Sequence, residues 1–242
     1  MGKSREVLPM KHDVVYILKN DYSSEELRYS LRSVVENFPY RKIWFYGGKL
    51  PDIEPDEYVE LIQQGGTKWE RVKFTLEHIF RNDDITEDFW LFNDDFFIMQ
   101  PVDEMPYMIN GTIERHAARI RARHNGVDSA YSRNLRKAAL ELTKAGYDQI
   151  NYALHVPMLI NREKGLKTLK SFPDSPMFRS LYGNQWEVGG VTTKDVKIAD
   201  PDTVPAGNEA LLSTTDKSFG GKVGDHIKER FPKKCRYECQ KK

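Results

Sequence analysis

Residues 88–103 read DFWLFNDDFFIMQPVD, an apolar aromatic run broken by two adjacent aspartates. Phe89, Trp90, Leu91 and Phe92 lead in; Phe96, Phe97, Ile98 and Met99 lead out. Short runs of this kind suit buried strands, where bulky side chains cover both faces of a pleated ribbon. Asp94 and Asp95 then stand at a buried strand end, where a bare carboxylate is costly unless positive charge meets it. A divalent cation carrying a diphosphate is a natural partner. The pair alone also fits a turn between two hairpin strands with both acids in water.

The flanking pattern decides what sort of sheet holds this segment. Residues 13–18 (DVVYIL) read as a buried strand and 23–38 as a helix. Ser23 or Ser24 can cap that helix, and Glu25 and Glu26 suit the positive end of its dipole. Leu27, Leu31, Val34, Val35 and Phe38 form its apolar stripe, and Pro39 ends it. Residues 42–46 (KIWFY) follow as a strand, giving a βαβ unit whose strands should run parallel. A short strand is expected over 58–62 and a helix over 67–80. Strands alternating with helices imply an α/β domain, and such sheets bind ligands at the carboxyl ends of their strands, where Asp94 and Asp95 fall.

The second half is less regular. Helices are expected over 128–145, 162–171 and 219–231, and short strands over 196–198 and 211–214. Residues 172–190 read as an aromatic loop. No repeat or long linker divides the chain, so one domain is expected. Residues 1–100 would form its nucleotide-binding half and 101–242 its acceptor-side half, with loops over 101–135 and 172–195 shaping the pocket.

With 37 basic and 36 acidic residues among 242, whole-chain charge speaks for no polyanionic partner, although a local patch still can. Apolar runs fall well short of the roughly 20 residues of a membrane span. The opening MGKSREVLPMKHD has no apolar signal core, and Glu6 stands where a myristoylation start wants Ser or Thr. The cytoplasm is therefore the expected location. Cys235 and Cys239 alone do not make a zinc site and read as free thiols.

Several further residues suit phosphate or proton chemistry, each with a plainer alternative. Asn93 can fix a carboxylate or touch a donor. Arg28 and Arg32 lie one helical turn apart and offer guanidinium forks to phosphate, or pair with Glu25 or Glu36. His155, in NYALHVPMLINREKG, suits a general base or a buried core histidine. Asp216 can ligate a metal or cap a helix. Arg115, Arg119, Arg121 and Arg123 can contact a phosphate-bearing acceptor, nucleic acid included, or form a solvated basic face.

Taken in order, DVVY, ELRYSLRSV, WLFNDDFF, HVPMLINRE and LLSTTDKSF with ERFPKKCRYE resemble the Stealth family of sugar-phosphate transferases, which includes bacterial capsular-polysaccharide enzymes. The resemblance implies a GT-A-like, Rossmann-like α/β fold: a mostly parallel sheet, helices on both faces and a C-terminal elaboration. It implies a nucleotide-sugar donor, most naturally a UDP-sugar, with Mg²⁺ or Mn²⁺. Asp13 matches the acid of the first region, Asp95 a metal-linked carboxylate, Asp216 the acid of the fourth region and His155 the active-site histidine. Arg179 matches an active-site arginine.

The chain departs from the family at ILKND, where Thr-Trp-Val-Asp/Asn-Gly is usual, and at Lys73, where a glutamate is usual. The expected chemistry is therefore metal-dependent glycosyl transfer to an acceptor hydroxyl on a glycan, or on a DNA base. Sugar-1-phosphate transfer is the alternative, and a carbohydrate- or nucleic-acid-binding module on a decayed fold is the non-enzymatic one. Asp94, Asp95 and Asp216 would hold the metal; Asp13, Arg28, Arg32 and Asn93 would meet the donor. His155 would act on the acceptor, supported by Lys73 and Arg179.

Overall fold

A computed structural model describes residues 11–239. The first half runs β1 (Asp13–Ile17), α1 (Glu26–Asn37), β2 (Ile43–Tyr46), β3 (Glu57–Val59), α2 (Lys68–Phe80), β4 (Asp88–Phe92) and β5 (Phe96–Ile98). The second half adds β6 (Met108–Ile109), α3 (Ile113–Arg123), α4 (Ala130–Lys144), β7 (Met158–Asn161), α5 (Arg162–Ser171) and α6 (Phe178–Gln185). It ends with β8 (Val191–Thr192), β9 (Leu211–Ser213), α7 (Asp216–Phe219) and α8 (Lys222–Arg230). The main sheet has the order β3-β2-β1-β4-β7, parallel except for β7 against β4. This is a mixed α/β fold compatible with the Rossmann-like class.

Side chains alternate across that sheet. Val14, Tyr16, Ile43, Phe45 and Phe92 face the layer that holds α1. Val15, Trp44, Tyr46, Phe89 and Leu91 face the opposite layer, with Leu76 and Ile79 of α2, Leu169 of α5 and Phe178 of α6. Helices thus cover both faces. α1 is rich in serine and valine, which are mediocre helix formers by a few tenths of a kcal/mol each. Burial of Leu27, Leu31 and Val34 to 0% exposure, worth roughly 1.5–3 kcal/mol apiece, outweighs that.

The aspartate turn is not a hairpin tip. β4 stays in the main sheet, whereas β5 leaves it to pair antiparallel with β9. The polar groups of α1 grip the departing backbone: Ser30 Oγ donates to Phe96 O (2.6 Å), Ile98 N donates to Ser33 Oγ (3.0 Å), and Asn37 Nδ2 donates to Ile98 O (2.7 Å). The hairpin alternative is therefore overturned.

Four other expectations need correction. Residues 113–123 form α3, whose thin stripe of Ile113, Ala117 and Ile120 is masked in sequence by its arginines. Residues 178–185 form α6 despite Gly183, which costs about 1 kcal/mol in a helix. The missing Cβ lets the Tyr152 ring pack against that turn, 2.5 Å from where a Cβ would stand. The expected helix over 219–231 is two helices, α7 and α8, broken at Gly220-Gly221. The strand expected over 196–198 is a single bridge, Lys197 to Ser213. Residues 1–10, which carry the signal and myristoylation readings, lie outside the described residues.

The C-terminal segment folds back on α1. Arg32 Nε donates to Glu238 Oε1 (2.7 Å) and Arg32 Nη2 to Oε2 (2.8 Å), while Arg28 Nη1 reaches Oε2 at 2.8 Å. Arg28 also holds Asp52 at 3.0 Å, and Arg32 Nη1 donates to Phe231 O (2.9 Å). Burial pushes the Glu238 carboxyl up, but the two guanidinium groups win and hold it at about 2. Its folded pKa lies below its unfolded one, so its stabilisation is present above the ordinary glutamate range and is lost as pH falls towards 2. We predict that Glu238→Gln costs about 3 kcal/mol of stability at pH 7, because two shielded arginines lose their counter-charge. Urea unfolding should show the difference from wild type shrinking below pH 4; an unchanged midpoint at pH 7 refutes it.

Candidate functional site

The parallel strands β1 and β4 end side by side, with Tyr16 opposite Phe92, so the chain beyond both emerges at one edge. Asn93, Asp94 and Asp95 occupy that edge. Asp95 is largely covered: Oδ2 accepts from Lys197 Nζ (2.9 Å) and Ser213 Oγ (3.3 Å), while Oδ1 is buried without a hydrogen bond. Lys197 thus meets part of the demand for positive charge from within the protein.

Asp94 belongs to a second group. Burial pushes its carboxyl up, and the charges of Asp95 and Asp216 push it further. Glu26, 2% exposed, accepts from Thr214 Oγ1 (2.5 Å) and Ser24 Oγ (3.1 Å). Burial, reinforced by the Asp94 charge, raises its pKa to about 7. The Tyr22 hydroxyl is buried beside them, and burial together with the Asp94 charge pushes it up. Among the described residues, neither Asp94, Glu26 nor Asp216 is in an ion pair.

His155 precedes β7 and is held by Asp195, which accepts from its backbone N (3.1 Å) and from Nδ1 (2.9 Å). Burial raises the Asp195 carboxyl, but the His155 hydrogen bond more than offsets it and leaves the pKa low. Nδ1 as donor leaves Nε2 as the ring's acceptor. His155 lines two cavities. One, of about 190 Å³, lies at the carboxyl edge of the sheet with Asn93, Trp69 and Arg179. The other, of about 420 Å³, is lined by Arg119, Arg123, Tyr131, Lys194 and Lys197.

Arg179 is brought between these groups. Its guanidinium donates to Val156 O and, at 3.4 Å, to Leu154 O and Leu91 O, which ties the His155 segment to the end of β4. Burial lowers its pKa to about 10 against the pull of Asp95 and Asp195. It joins the two segments and places positive charge near Asp95 and Asp195.

Four expected site residues are elsewhere, and a fifth, Asp216, opens onto a neighbouring cleft. Asp13 lies at the other end of β1, about 13 Å of strand away. There Arg41 (2.7 and 2.6 Å), Trp44 Nε1 (3.0 Å) and Thr86 N (3.1 Å) satisfy it completely as a structural acid. Arg28 pairs with Glu25 (2.9 Å), as the plainer alternative expected, and also with Asp52 and Glu238, while Arg32 pairs with Glu238, so both guanidinium groups are taken up by carboxylates. Lys73 donates to Pro173 O and lines a separate cleft between α2 and α4. Asp216 starts α7 behind its Thr215 cap and lines a cleft with Ser24 and Lys228.

Sequence reasoning missed Tyr22, Asp195 and Lys197, and it read Glu26 only as a helix-dipole residue. The demand for a positive partner near Asp95 was the one signal pointing to Lys197. Cys235 and Cys239 are free thiols. No helix among the described residues is long and apolar enough to cross a membrane.

The expected metal set is not a ready-made one. Among the described residues, no three His, Cys, Asp or Glu side chains converge to hold a metal. Asp94, Asp95 and Asp216 therefore do not make a preformed three-ligand cluster; the expectation of Asp95 with Asp94 or Asp216 asks for two carboxylates. The donor set does fit Mg²⁺, which uses one or two carboxylates and completes its shell with water and phosphate oxygens. Asp95 Oδ1 is an orphaned buried acceptor of the kind such an ion satisfies. No protein-family model matches the chain, and no curated protein matches it.

The titration of Glu26 gives a test that needs no substrate. Its folded pKa, about 7, exceeds the ordinary 4.5, so the folded state holds this proton more tightly. That contribution is fully present below pH 4.5 and lost as pH rises through 7. In EDTA, wild-type stability should fall between pH 5 and pH 8 by on the order of 2 kcal/mol more than that of Glu26→Gln. Parallel urea midpoints for the two proteins across that range would refute the assignment.

Proposed function

We propose that the protein is a transferase of the GT-A kind that takes a nucleotide-diphosphate sugar, UDP-sugars foremost, and moves the glycosyl group to an acceptor hydroxyl. One observation carries this reading: His155, oriented by Asp195, stands in the wall shared by two cavities. A two-substrate transfer needs such an arrangement, with a base between donor and acceptor. The resemblance of the ordered motifs to those of the Stealth family supports it, as does the position of the aspartate turn at the carboxyl edge of the sheet.

The donor belongs in the cavity beside Asn93 and Trp69. Asp95, through Oδ1, and Asp94 would hold Mg²⁺ or Mn²⁺, which when bound neutralises the leaving diphosphate. His155 Nε2 takes the proton of the acceptor hydroxyl as its oxygen bonds to the anomeric carbon. The bond from that carbon to the diphosphate breaks, and nucleoside diphosphate leaves. Asp195 keeps Nδ1 protonated and stabilises the imidazolium. Arg179 and Lys197 offset negative charge at the edge.

Sugar-1-phosphate transfer is the second reading. Lys73, whose departure from the Stealth pattern set this chain apart, faces a different cleft and so does not bear on which bond breaks. In that chemistry the acceptor oxygen attacks the β-phosphorus, and nucleoside monophosphate leaves.

Calorimetry with UDP and UDP-sugars in Mg²⁺ should show binding that weakens tenfold or more in Asp95→Asn. His155→Ala should retain donor binding and lose 10²–10⁴-fold in turnover. Released UDP identifies glycosyl transfer and released UMP the second reading. Absence of binding across nucleotide sugars, with Asp95→Asn indistinguishable from wild type, refutes both.

A further inference from the structure

The cavity on the far side of His155 has a chemistry of its own. Arg119 and Arg123 lie one turn apart on α3 and supply one wall, and Lys194, beyond β8, is another lining residue. Asp195 is the acid among the residues lining it, and it is occupied by His155. Among the described residues, none of Arg119, Arg123 and Lys194 is in an ion pair. Arg119 Nη1 is steadied by Asn110 Oδ1 at 3.0 Å, leaving its other donors uncommitted. Between these groups Tyr131 packs edge-on to His116, with ring centres 6.0 Å apart, which gives the cavity one aromatic wall. Burial pushes the His116 imidazole down, and the charges of Arg119, Arg123 and His155 act in the same direction against Asp195. These groups therefore share one electrostatic neighbourhood.

Three cations without carboxylate partners would repel one another in a site built for a neutral sugar. Paired guanidinium forks and an ammonium instead suit the several oxygens of a phosphate. The site is a bounded cavity of about 420 Å³ and the whole chain is near neutral, at +1. Both facts favour a compact anion over a nucleic-acid duplex, which needs an extended basic track.

We propose that this cavity is an acceptor subsite for a phosphorylated sugar, with the phosphate on Arg119, Arg123 and Lys194 and the reacting hydroxyl towards His155. This rests on the transferase reading, which it deepens by giving the acceptor's chemical class. The source is either a free hexose phosphate or a sugar-phosphate unit of a glycan, since both present the same group.

Calorimetry without donor tests it, using wild type and Arg119→Gln/Arg123→Gln. Both positions are exposed on α3, and thermal unfolding checks that the variant folds. The probes are hexose 1- and 6-phosphates, a phosphodiester-linked disaccharide, the unphosphorylated sugars, a DNA duplex and UDP. Wild type should bind at least one phosphorylated sugar, and the double variant should bind it tenfold or more weakly while keeping its UDP affinity. Preference for the monoester indicates a free sugar phosphate; preference for the diester indicates a glycan unit. Equal binding of unphosphorylated sugar, an unchanged affinity in the folded variant, absence of phosphorylated-sugar binding, or tighter duplex binding lost in the variant each overturns the proposal. If wild type binds the sugar phosphate but no UDP or UDP-sugar, the transferase reading fails while the anion subsite stands.

Discussion

Three side chains of α1 determine where the chain can place its acids. Ser30, Ser33 and Asn37 bond the backbone of β5 just as it leaves the main sheet, and β9 takes its other edge. The polypeptide must therefore turn sharply between Phe92 and Phe96, with Asn93, Asp94 and Asp95 at the bend. A helix usually contributes apolar contacts to an α/β core. Here its short polar groups also substitute for a missing strand, which satisfies backbone groups that burial would otherwise leave unpaired. The same helix carries Glu26 at its start, so one element fixes both the turn and the acid beneath it.

The two aspartates differ in their company. Asp95 lies with Lys197 and Arg179, and Asp94 with Glu26, Tyr22 and Asp216. Adjacent carboxylates are thus split between a compensated environment and an uncompensated one. Burial raises the Asp94 carboxyl, and the neighbouring charges of Asp95 and Asp216 raise it further. The uncompensated half is where a cation or an extra proton is most favourable, and Glu26 is already poised to keep one.

The first half of the fold was legible because its physics is local. The stripe of α1 and the buried runs of β1, β2 and β4 each announce themselves within a few residues. Elements whose stability comes from distant partners were not legible: α6 depends on Tyr152 filling the space above Gly183, and α3 hides its thin stripe among arginines. The site divides along the same line. Asp94 and Asp95 stood out by being charged in an apolar run, and His155 by sitting beside one. Asp195 and Lys197 lie in VTTKDVKIAD, a stretch with no pattern, and matter only because the fold brings them to His155 and Asp95. Arg28 and Arg32 show the reverse error. Their spacing suits phosphate, and Glu25 accounts locally for part of Arg28, but the carboxylate that claims both is at position 238, which no local reading can anticipate.

That claim has a consequence for the order of folding. Arg32 and Glu238 are separated by 206 positions, yet their contact shields both charges. During synthesis α1 leaves the ribosome long before Glu238 exists, so the nascent βαβ unit must dock with Arg32 still in water, while Arg28 already has Glu25 and Asp52 beside it. Closing so long a loop costs little more entropy than closing a moderate one, so lateness rather than distance is the constraint. The segment around Glu238 acts as a latch on α1, and a nascent chain stalled short of it would present an open, positively charged helix face.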